Sequence, residues 1–157
     1  MENIPILLHG AIVGLIVYQS AIVAPNVFRL LPQQESSLFL RSIFPRFFLI
    51  IIVLSLLGNL CALLYLNWSS AIICGISAVL SLVAYVLIPM TNRSRDEGDD
   101  AQFNRLHLAS VIITMTILLL SISGVLLWAT PKLLSWSASV CELRGLLIAS
   151  FSPKIIV

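Results

Sequence analysis

Apolar and polar positions fall in long blocks along this chain. Four apolar runs, at 4–24, 47–66, 71–88 and 108–128, hold no Asp, Glu, Lys or Arg. Each is roughly 18–21 residues long, and a helix needs about 20 to cross the hydrocarbon of a bilayer. Lipid offers the backbone no hydrogen-bond partners, so such runs close their own ladder as helices. Small residues recur along them at helical spacing. The first has Gly10, Gly14, Ala21 and Ala24; the second Ser55, Gly58 and Ala62; the third Ser70, Cys74, Ser77, Ser81 and Ala84; the fourth Ser110, Thr114, Ser121 and Gly124. Residues so spaced share one helix face, and helices in lipid associate by close packing of such faces. The expected fold is all-α, an integral membrane bundle of four transmembrane helices over residues 1–130, followed by an interfacial tail at 131–157.

The polar blocks differ. "NWSS", at 67–70, predicts a tight hairpin. The connection at 25–46 carries Pro25, Pro32 and Pro45, and proline cannot continue a helical ladder. A short interfacial helix is expected within it, with Leu38, Phe39, Ile43 and Phe44 at the lipid boundary. The first run lacks the basic leader of a signal peptide and is expected to stay as an anchor.

Composition supports this solvent assignment. The chain is 59% hydrophobic and 10% charged, against about 25% charged in a soluble domain. Residues 89–110 hold seven of the sixteen formal charges (nine basic plus seven acidic). A net charge of +2, without a basic helix or finger pattern, gives no reason to expect nucleic acid. Cys61, Cys74 and Cys141 have no CxxC spacing, so no metal site is expected.

Charge also predicts orientation. Arg29, Arg41, Arg46, Arg93, Arg95 and Arg105 lie on one side; Lys132, Arg144 and Lys154 lie on the other. The positive-inside rule then places 25–46 and 89–107 in the cytoplasm and both termini outside. The expected location is a bacterial inner membrane. Within the spans the polar residues are few: His9, Gln19 and Asn59, with three tyrosines. No charge sits mid-span, unlike a pump with a buried carboxylate relay. At the cytoplasmic ends the four helices deliver Arg41, Arg46, Asn92, Arg93, Arg95, Asp96 and His107 to one face. That cluster suits an anionic head group or substrate. His9 and His107 lie on the order of 20 Å apart in depth, so one bis-histidine metal site is not expected.

"GLIVYQSAIVAPNVFRLL", "IFPRFF", "MTNRSRD" and "FNRLHLAS" together resemble the transmembrane protein 205-like family, a membrane domain of unknown function. The resemblance rests on Gly14, Pro25, Phe28, Phe44, Pro45, Asn92, Arg95, Asp96, Phe103, Leu106 and His107 and covers about residues 5–130. It implies a multi-pass membrane protein without an agreed activity. Phe47 and Phe48 stand where the family usually has a tyrosine, and the tail has no counterpart.

Three functions compete. The leading one is a non-enzymatic membrane protein that binds or moves a small solute or lipid at the cytoplasmic cluster, with no cofactor. The alternative is a haem- or quinone-linked oxidoreductase using His107 or His9. The third is a structural subunit, joined to partner helices or further copies through "GAIVG" and the small-residue faces.

Overall fold

The computed structural model describes residues 3–151, with side chains described through 130. All the regular elements among them are helical. They are α1 (Ile4–Tyr18), a π-helical turn (Gln19–Val23), α2 (Ala24–Leu30), α3 (Gln33–Leu64), α4 (Trp68–Asp96) and α5 (Asp100–Phe151). Four segments are long and apolar enough to cross a membrane: Ile4–Leu30, Gln33–Leu64, Trp68–Asp96 and Asp100–Thr130. Residues 1–125 form one compact unit, and 126–157 form a second, whose described part is the remainder of α5.

The helices run well beyond the apolar blocks. Segments 25–46, where only a short helix was expected, and 89–107, expected as a loop, are almost wholly helical; between Ile4 and Phe151 the chain leaves helix only at 31–32, 65–67 and 97–99. Two of the three expected interruptions, Pro25 and Pro45, fail, and Pro89 also lies within helix. Pro25 follows the π-helical turn, in which the Ala24 N–H reaches back to the Gln19 carbonyl. Asn26 Nδ2 donates to the Ile22 carbonyl at 2.8 Å. This wider turn relieves the clash and missing donor that proline brings. Pro45 and Pro89 lie inside α3 and α4. In apolar sequence, losing one ladder bond costs less than unwinding a turn into lipid.

Pro32 does break the chain. It forces Leu31 out of the helical region, to φ −108° and ψ 142°, as a residue before proline requires. Its carbonyl then accepts the Ser36 N–H at 2.9 Å as α3 begins. The hairpin at 65–67 closes through Asn67, whose side chain accepts the Ser70 N–H at 3.1 Å. The turn after α4 needs a left-handed residue, supplied by Gly98 at φ 72°. Asp99 then caps α5, accepting the Gln102 N–H at 2.9 Å.

Packing reverses the pattern of a water-soluble helix. On α4, Ser70, Cys74, Ser77, Ser81 and Ala84 are buried, while Ile72, Val79, Leu82, Val83 and Val86 are exposed. Ser55, Gly58 and Ala62 of α3 are buried likewise. An apolar surface around a core of small residues is what lipid selects, and this is an integral membrane bundle. Gly10 and Gly14 differ from the expectation that small residues mark the packed face. Both are exposed, and a Cβ on either would meet nothing within 4 Å. The face of α1 that packs is instead His9, Ile12 and Ile16. The apolar core joins Ile12, Ile16, Phe47, Phe48, Ile51, Ala84 and Ile117.

Candidate functional site

At the end of the bundle that carries the turns at 31–32 and 97–99 there is a cavity of about 770 Å³. That is the size class of a pocket that encloses one small molecule. Every helix contributes. The first span gives Gln19, Ser20, Ala24 and Phe28; α3 gives Ser36, Leu40, Arg41, Phe44, Phe47 and Phe48; α4 gives Ile88, Thr91, Asn92 and Arg95; α5 gives Phe103, His107, Ser110, Val111, Thr114 and Met115. The inner wall is largely aromatic and aliphatic, with Gln19 and Thr114 set in it, and the outer wall carries the cations.

Of the sequence-predicted cluster, Arg41, Asn92, Arg95 and His107 line this cavity. Arg46, Arg93 and Asp96 do not. Asp96 accepts two bonds from Arg41, at 3.0 and 2.5 Å, and ties α4 to α3 beside the opening. Arg93 pairs along its own helix with Glu97 at 2.6 Å and is solvated. Arg46 is exposed. The acidic run therefore neutralises Arg41 and Arg93 and leaves Arg95 over.

Arg95 lies over the Phe103 ring, its guanidinium carbon 4.6 Å from the centroid. His107 stacks on the same ring at 5.8 Å, with the planes 5° apart. The spacing of Phe103 and His107, one helical turn apart on α5, sets up that stack. Arg95 makes no ion pair among the described residues, and the cavity lining contains no carboxylate. The outer wall thus presents a cation held in place by a ring, with an imidazole beside it. An anionic group is its natural complement.

Gln19 was legible in the sequence only as one polar residue in an apolar run. It lies on the inner wall, 8% exposed, and its Nε2 is buried without a hydrogen-bond partner. It opens the π-helical turn, and such turns often mark functional positions. The signal available in the sequence was its place just ahead of Pro25. Neighbouring hydroxyls behave otherwise. Thr91, Ser110 and Thr114 satisfy themselves on the carbonyls of Leu87, Leu106 and Ser110.

The two histidines do not meet. His9 is 1% exposed, packs against Gly124, and has its Nε2 3.7 Å from Cys74 Sγ. One helical turn closer to the cavity, Ser55, Ser77 and Ser121 are buried with unpartnered hydroxyls. The apolar core at Ile16, Phe48, Ile51 and Ile117 lies between this polar layer and the cavity.

A family profile described as "Domain of unknown function (DUF4149)" matches residues 7–100. The match spans more than half of the chain, so the protein belongs to this uncharacterised domain family. The matched region contains the second and third spans and all but the start of the first, and with them Gln19, Arg41, Asn92 and Arg95. No match was found among curated proteins or among solved structures.

Proposed function

We propose that this protein is a non-enzymatic membrane protein that binds or moves a small anionic solute or lipid, and that the cavity between the four spans is where it does so. The observation that carries this reading is an apolar cavity whose outer wall holds Arg95 over Phe103, beside His107, with no carboxylate in the lining. An apolar interior with a few fixed polar groups is the usual make-up of a ligand site. The reading includes the finer likeness to the transmembrane protein 205-like family. It also places the cavity on the cytoplasmic side of a bacterial inner membrane, as the arginine asymmetry favours.

The test is binding of an anionic amphiphile, oleoyl lysophosphatidate, to the purified full chain in phosphatidylcholine nanodiscs. Arg95→Gln and His107→Ala are expected to weaken it at least tenfold while helical content is unchanged. Wild-type affinity in both variants would contradict the proposal.

A second reading has one observation behind it. Gly10 and Gly14 face outward with open space before them, which suits a partner helix as a structural subunit would need. Gly14→Leu would then shift the oligomer mass measured in detergent. An unchanged mass would remove this reading.

A further inference from the structure

We infer that Gln19 is a specificity-determining residue of the cavity and that its occupant is a bilayer lipid with two polar groups: an anion at Arg95 and a hydrogen-bond acceptor, such as an acyl ester carbonyl, at Gln19. The inference rests on the binding site proposed above.

Gln19 is costly where it stands. A primary amide carries two N–H donors, and leaving a buried donor unpaired is expensive, more so inside a bilayer. Five other polar side chains on this cavity wall have partners: Ser36, Thr91, Ser110 and Thr114 bond backbone carbonyls, and Arg41 bonds Asp96. Gln19 Nε2 has none, and the residue is part of the inner wall. It is held there by a π-helical turn ahead of Pro25, which offsets its position from that of a regular helix.

Depth separates the two polar points. His9 of α1 packs on Gly124 of α5 and on Cys74 of α4. Because α1 and α5 run antiparallel, counting along from that contact puts Gln19 level with Thr114. Counting from the contact of Gly58 with Cys74, and of Leu8 with Gly58, puts it level with Phe47 and Tyr85. Arg95 follows Tyr85 by nearly three helical turns, about 15 Å along α4. The wall between carries Phe44, Ile88 and Leu40, with the hydroxyls of Thr91 and Ser110 turned onto their own helices. A compact anion reaches only Arg95, and a plain hydrocarbon chain leaves Gln19 unpaired. A phosphate lipid with an ester beyond its head group answers both. The volume encloses one small molecule, so a single-chain lipid is the occupant to which we commit.

The experiment titrates oleoyl lysophosphatidate and its ether-linked analogue, which lacks the carbonyl, onto the full chain in phosphatidylcholine nanodiscs, read by native mass spectrometry. Wild type is expected to prefer the ester by about tenfold, the weight of one buried hydrogen bond. Gln19→Leu should bind both probes alike, and Arg95→Gln should weaken both. If wild type binds both equally and Arg95→Gln still weakens them, the role of Gln19 is overturned and the binding site stands. If neither probe binds wild type, the site itself is overturned. The ester-to-ether ratio of wild type decides the inference even if Gln19→Leu does not fold.

Discussion

Gly124 and Gly10 show how differently one residue type can act in one bundle. A Cβ on Gly124 would come within 2.7 Å of the His9 ring, which is itself enclosed, whereas a Cβ on Gly10 would meet open space. Gly124→Ala is therefore expected to destabilise by about 1–3 kcal/mol, the usual cost of overpacking, read as a lower Tm in detergent. Gly10→Ala should leave Tm unchanged or raise it, since alanine favours the helix. The buried hydroxyl of Ser121 gives the opposite expectation. It has no partner, so Ser121→Ala removes an unsatisfied group and should leave Tm unchanged or higher. A Tm lowered as far as by Gly124→Ala would show that the hydroxyl is satisfied. At this scale the sequence disclosed residue type but not direction. "GAIVG" carries a packing motif, yet its glycines point away from the core, because His9, Ile12 and Ile16 occupy the packed face of α1.

Among the elements, the apolar blocks marked the four spans, and their periodicity marked the buried faces of α3 and α4. Both follow from lipid as solvent and need no partner information. The connections were not legible, because proline was read by its effect in water. Pro25, Pro45 and Pro89 stay within helix, and only Pro32, followed by Gln33, Gln34 and Glu35, ends one. The polar neighbours allow the backbone freed by Pro32 to meet water or side chains. The consequence is that the charged residues lie on helix ends with fixed directions rather than on a loop. That is why Arg41 of α3 can reach Asp96 of α4. Arg41→Asp or Asp96→Arg alone is expected to lower Tm, and the double swap to recover most of the loss at low salt. A double swap no better than the single variants would show that the pair does not join the helices.

For the whole molecule, the membrane assignment rests on an exterior of leucine, isoleucine and valine around helix faces packed through small residues and one layer of isoleucine and phenylalanine, interrupted at one end by a cavity with a cationic wall. Four of the seven residues expected at a site meet in that cavity: Arg41, Asn92, Arg95 and His107. They were legible because the spans deliver them to one end. Arg46, Arg93 and Asp96 fell outside because helix phase, invisible in a segment read as loop, turns them elsewhere. The central claim is that the cavity holds an anionic amphiphile. Its most direct test is native mass spectrometry of the detergent-purified full chain, wild type beside Arg95→Gln, with an absorbance spectrum of the same samples. A colourless wild type carrying one phosphate-headed lipid that survives collisional removal of detergent is expected, as is loss of that lipid from Arg95→Gln. A wild type without such a lipid, equal retention by Arg95→Gln, or a haem band that vanishes on replacing a histidine would contradict the claim.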